Sequence, residues 1–167
     1  PKTVGVFVML GILLQIFLEF FSKGAEHGHV HLDPEKSDFP WMLFISLCIH
    51  SLLEGLPIEN HGTILYGILI HKIPIAIILS IFLLSSKIKL RSAIFFIVLF
   101  SLMTPIGTYI AANYDFTHRY AVFLNALVIG VFLHISTVIL FESSEAHKFN
   151  LRKLVVIILG IAIAYML

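Results

Sequence analysis

The sequence predicts an all-α membrane protein, a polytopic bundle of six transmembrane helices, and three observations carry that expectation. Mean hydropathy is +1.00. Charged residues make up only 13% of the 167 residues, against ~25% in an average soluble domain. Apolar residues also gather into runs near the ~20 residues that a helix needs to cross a hydrocarbon core of ~30 Å. Helices are expected in every run, because lipid cannot satisfy free backbone N–H and C=O groups.

The first run covers 3–21 and carries Gln15 and Glu19, which share a helix face and suit hydrogen bonding between helices. No Arg-flanked signal peptide with a small-residue cleavage site precedes it, so it is expected to be a retained span. The second covers 40–57 and contains Cys48, the single cysteine, which reads as a buried hydrophobe rather than part of a disulfide framework. The third and fourth cover 63–84 and 93–111. The fifth, 120–141, holds Asn125 and His134, again polar groups suited to bonding between helices. The sixth, 151–167, is shorter and opens with Arg152 and Lys153, whose charged ends can snorkel to the interface. One transmembrane domain over 1–167 is expected, with a His-bearing loop at about 23–39.

Basic residues alternate between the two sides. Lys23, Lys36, Lys87, Lys89, Arg91, Lys148, Arg152 and Lys153 fall on one side, and only Lys2 and Arg119 on the other. The positive-inside rule makes the richer side cytoplasmic, so both ends of the chain are expected to be extracytoplasmic. A net charge of +1 argues against a nucleic-acid partner. The remaining cation, Lys72, lies inside a span.

The chemistry concentrates in "HSLLEGLPIENHGTILYGILIHKIPIA", residues 50–76. His50 lies ten residues before the hairpin at Asn60 and His71 eleven after it, so both sit about 15 Å deep. His50 and Glu54, spaced i,i+4, share a face. Two antiparallel helices can therefore bring His50, Glu54 and His71 to one level. Pro57, Pro74 and Pro105 free the carbonyls of Leu53, Ile70 and Ser101, and three such breaks suggest a pathway lining. Two imidazoles and a carboxylate suit a divalent first-row metal with open positions. The plainer use of the same groups is helix adhesion, with Glu54 and Lys72 as a buried ion pair that sets register.

At these residues the chain resembles the ZIP (Zrt/Irt-like) family of divalent-metal transporters. "HSLLEG" is similar to the His-x-x-x-Glu/Asp-Gly element of the fourth family helix, "HKIPIA" to the signature of the fifth and "FSLMTPIG" at 100–107 to the sixth. "LLQIFLEFFSKGAEHGHVH" resembles the third helix running into a His-bearing cytoplasmic loop, and "FLHISTVILFESSEAHKFN" the seventh helix and its exit. The resemblance implies that this is a fragment matching helices three to eight of an eight-helix fold. It also implies a moving element of spans two to four against a scaffold of spans one, five and six.

The resemblance implies a two-metal centre in many relatives, but here Lys72 and Ile75 stand where a polar or acidic residue and a Glu are frequent. Ser51 and Thr104 occupy places that can carry ligands in relatives. One metal held by His50, Glu54 and His71 is therefore expected, with the Lys72 ammonium in the second cation's place and paired with Glu54. The tract "EHGHVH", with His27, His29 and His31, and the inner-end cluster of Glu142, Glu145 and His147 could form a cytoplasmic metal relay; solvated polar segments are the alternative. His61, Asp115 and His118 on the outer side could attract cations.

The expected function is a multi-pass cell-membrane carrier taking divalent metal, zinc first and iron(II) or manganese after it, towards the cytoplasm. No enzymatic reaction and no prosthetic group are expected; the metal is cargo. Expected partners are the lipid bilayer and metal ions, with a homodimer left open. A haem-binding electron-transfer protein using paired histidines is the alternative, and a helix-adhesion protein a further one. A membrane metalloprotease lacks its H-E-x-x-H element.

Overall fold

The computed structural model describes residues 2–22, 41–58, 64–86, 88–142 and 151–166, all in helices and tight connections. In chain order these are α1 (Lys2–Ser22), α2 (Trp41–Gly55) continuing as a 3-10 turn (Leu56–Ile58), α3 (Ile64–Ser85), α4 (Leu90–Asn113), α5 (Asp115–Arg119), α6 (Ala121–Glu142) and α7 (Leu151–Met166). The protein is an all-α membrane helix bundle. Each expected span appears within a few residues of its predicted limits, because hydropathy and length alone dictate where a chain can cross lipid.

Among the described residues five helices are long and apolar enough to cross a membrane: α1, α2 with its 3-10 turn, α3, α4 and α6. The expected sixth span forms as α7, with 16 residues. At about 24 Å it is shorter than the ~30 Å hydrocarbon core. The short α5 was not expected. It starts at Asp115 and ends with His118 and Arg119, a charge order that complements the helix dipole. Thr117 Oγ1 donates to the carbonyl of Ala111 at 2.8 Å and ties α5 under the end of α4.

Polarity is inverted relative to a soluble domain. Large apolar side chains such as Phe20, Ile70, Phe95 and Val122 point outwards, while Gln15, Ser46, His50, Ser51, Glu54 and Thr104 are buried. A membrane solvent explains both halves of that pattern: apolar groups cost nothing against lipid, and polar groups must find partners inside.

Among the described residues two helix pairs meet at backbone contact. α1 meets α6 through Gly11 and Gly130, where an added Cβ would overlap the carbonyls of Leu127 and Val8 respectively. α2 meets α4 through Gly55 and Gly107, facing the carbonyls of Thr104 and Leu52. Small residues allow this approach where no hydrophobic effect drives helices together. Leu43, Phe44 and Leu47 of α2, Ile75, Leu79 and Leu83 of α3, and Ala93 and Phe100 of α4 form the apolar core beside them.

Pro74 and Pro105 do not break their helices. α3 and α4 run on through Pro74 and Pro105, and both prolines are exposed. Each lies one position off its helix's buried face, beside Ile75 and Thr104 respectively. Only Pro57 is buried, where α2 tightens into its 3-10 turn.

Candidate metal centre

Four helices contribute to one polar cluster. α2 supplies His50, Ser51 and Glu54, α3 supplies His71 and Lys72, α4 supplies Thr104, and α1 supplies Gln15. His50 and Glu54 are each 1% exposed, whereas His71 keeps 26% and Lys72 17%. The cluster is therefore sealed on the α2 side and reachable past α3.

Three ligand-type atoms converge. His50 Nε2 lies 2.8 Å from Glu54 Oε1, His71 Nε2 lies 3.2 Å from the same oxygen, and the two Nε2 atoms are 3.5 Å apart. Oε1 is buried, yet no N–H is aligned on it as a hydrogen bond. The three atoms lie within contact distance of one another and border a single small space. Ligands 2.0–2.1 Å from a tetrahedral zinc stand about 3.3 Å apart, so the triangle has the dimensions of three zinc ligands. Among the described residues this is the one group of three His, Cys, Asp or Glu side chains placed to hold an ion.

The other carboxylate oxygen has a different partner. Lys72 Nζ donates to Glu54 Oε2 at 3.0 Å, to Ser51 Oγ at 2.6 Å and to Thr104 Oγ1. Ser51 and Thr104 hydroxyls are 3.0 Å apart, and Thr104 Oγ1 also donates to the Ser51 carbonyl at 3.0 Å. The ammonium stands 5.2 Å from the Phe100 ring centroid, within cation–π range. A charged carboxylate at mid-membrane costs about 2.5–3.5 kcal/mol on an insertion scale. Lys72 offsets that on one oxygen, and the imidazoles surround the other.

The remaining sequence candidates that lie among the described residues do not join this cluster. His134 Nε2 lies 2.7 Å from Glu19 Oε2, bridging α6 and α1, the interhelical bond expected of it. Asp115 and His118 are exposed on α5. His27, His29, His31, His61, Glu145 and His147 lie outside the described residues, as does the side chain of Glu142 at the end of α6. Sequence reasoning read Gln15 as helix adhesive and missed its link to His50 Nδ1, 3.1 Å from its Oε1. A signal existed: Gln15 precedes the end of α1 by nearly the distance that His50 follows the start of α2.

These features define a multi-pass membrane protein with a buried His/Glu centre opened on one side. The ZIP zinc transporter family model matches residues 26–167, and the chain belongs to that family. It is 34% identical over 127 residues to zinc transporter ZIP1 of Danio rerio, covering 68% of this chain and 42% of that protein. Zinc transporter ZIP1 of Takifugu rubripes is 35% identical over 89 residues, 50% of this chain and 30% of the relative. Protein zntD of Dictyostelium discoideum is 29% identical over 150 residues, 77% and 22% respectively. The chain thus spans less than half the length of these curated relatives. No solved structure matches it significantly.

Proposed function

We propose that this chain carries the cation-translocating centre of a membrane transporter that moves divalent metal, zinc foremost, towards the cytoplasm. The observation that carries the reading is the convergence of His50 Nε2, His71 Nε2 and Glu54 Oε1 on one point between α2 and α3. Two imidazoles and one carboxylate bind a first-row dication while leaving coordination open, so that the ion can arrive with water and leave again. Iron(II) and manganese suit the same donors, and availability decides among them.

One dication is bound at a time. Lys72 already supplies a positive charge against Glu54 Oε2, Ser51 and Thr104, and a second dication there would meet it at contact distance. The 26% exposure of His71 marks the side from which the ion enters and leaves. The charge bias of the loops supports an orientation with the basic side in the cytoplasm, and in this reading the His-bearing loop of 23–39 with Glu142, Glu145 and His147 receives ions there. Residues 1–167 act as one transmembrane unit whose ends face outwards. α2, α3 and α4, joined through the apolar core around Leu47 and Leu79, form the element that moves against a scaffold of α1, α6 and α7.

The haem alternative fits poorly. A porphyrin must pass between two axial imidazoles, but Glu54 Oε1 sits within 3.2 Å of both Nε2 atoms.

Zinc-65 uptake by cells expressing the full-length parent protein, beside Glu54→Ala at matched surface abundance, tests the reading. Saturable uptake that disappears in the variant is expected, with iron(II) and manganese as competitors to rank the metals. Equal background uptake in both would sink it.

A further inference from the structure

Gln15 is a wholly buried amide, 0% exposed, in an otherwise apolar stretch of α1. A buried amide is costly unless hydrogen-bonded. Its Oε1 faces Nδ1 of His50 at 3.1 Å, while the ring's other nitrogen, Nε2, belongs to the ligand triangle. A neutral imidazole has one N–H and one lone pair. An amide oxygen only accepts, so in the neutral ring that ligates a metal this contact places the hydrogen on Nδ1 and the lone pair on Nε2.

We propose that Gln15 is a positioning residue for metal binding. By accepting Nδ1–H it selects the ligating tautomer of His50 and fixes the ring so that Nε2 points at Glu54 Oε1 and His71 Nε2. The proposal rests on the metal-centre reading above. Partners of this kind orient ligating histidines and raise their basicity; here it comes from α1, a helix that contributes no ligand.

The placement does not depend on the amide itself. One turn away, Ser46 Oγ donates to the Leu18 carbonyl at 2.6 Å, which sets the same antiparallel register of α2 on α1. Replacing Gln15 therefore removes the acceptor while that neighbouring tie stays.

The test uses the full-length parent protein in lipid nanodiscs, with nitrogen-15-labelled histidine and zinc titration. Gln15→Met keeps the length of the side chain and removes the acceptor; Gln15→Glu restores an acceptor. In the zinc-loaded wild type, His50 should show a protonated Nδ1 and a zinc-bound Nε2. Gln15→Met should weaken zinc binding about 10–100-fold, and Gln15→Glu should return it close to the wild-type value. A purely structural role predicts the opposite for Gln15→Glu, since a buried carboxylate disturbs packing more than a thioether does.

Zinc on Nδ1 of His50, wild-type affinity in Gln15→Met, or a Gln15→Glu variant no better than Gln15→Met would each overturn the proposal. Glu54→Ala separates the two levels of inference. If wild type and Glu54→Ala both bind no zinc, the metal-centre reading falls and this one with it. If only Glu54→Ala loses zinc while Gln15→Met keeps it, the role of Gln15 alone falls.

Discussion

Among the described residues carboxylates meet imidazoles at two places, each on helices that take part in a glycine-mediated pair. On α1 and α6, near Gly11 and Gly130, Glu19 meets His134 at 2.7 Å as a single hydrogen bond. On α2 and α3, with Gly55 and Gly107 joining α2 to α4, Glu54 meets two imidazoles and an ammonium. The residue types are the same, and the outcome differs through number and alignment. One imidazole against one carboxylate closes a bond and holds helices together. Two imidazoles crowding one oxygen bring three ligand-type atoms to the spacing of a cation's coordination shell. A polar residue in a membrane span is thus defined by how many partners share its depth, not by its own type.

That contrast breaks first at Glu54. Glu54→Ala is expected to lower zinc affinity at least 100-fold, measured by titration of the full-length protein, because it removes a ligand and leaves a buried ammonium without its counter-charge. Wild-type affinity in that variant would erase the distinction between the two contacts. Next in size is backbone contact. Gly107→Val should drive side-chain atoms into the Leu52 carbonyl and destabilise the α2–α4 pair by about 1–3 kcal/mol, read as a fall in thermal unfolding temperature in nanodiscs. Gly67→Val offers the control, since nothing lies near its missing Cβ.

Lys72→Ala sharpens the account of the single ion. Without the ammonium at Glu54 Oε2, the number of zinc ions bound per chain is expected to rise above one, as counted by elemental analysis after equilibrium dialysis. Unchanged stoichiometry and unchanged uptake would remove Lys72 from the role of second cation. The smallest effect belongs to the scaffold contact. Glu19→Gln should leave zinc affinity intact and cost about 0.6 kcal/mol of stability, the average for a hydrogen bond between membrane helices. A marked loss of zinc affinity there would show that both contacts serve the ion.

Much of the centre was legible before any coordinates. His50 and Glu54 are bound to one face by the helical repeat, and His71 is bound to their level by its distance from the hairpin. The pairing of Lys72 with Glu54 could be anticipated as well, since an unpaired carboxylate at that depth is costly. The prolines suggest breaks, but α3 and α4 run on through Pro74 and Pro105, because a helix held by its neighbours can continue past one missing N–H. α5 was missed because five residues make too short a window for hydrophobic periodicity.

The sequence by itself determined the long helices, their order, and the shared level of His50, Glu54 and His71, because those depend on local hydropathy and a constant rise per residue. Only the tertiary structure decided how the partners of Glu54 are divided, with Oε1 facing His50 and His71 and Oε2 facing Lys72. It alone placed Thr104 of α4 on Ser51 and Gln15 of α1 on His50. Those contacts join residues 53 and 35 positions apart, and no local pattern specifies the rotation of one helix about its axis against another. Packing at Gly11–Gly130 and Gly55–Gly107 sets that rotation, and with it which atoms of His50 and Glu54 face each other and His71.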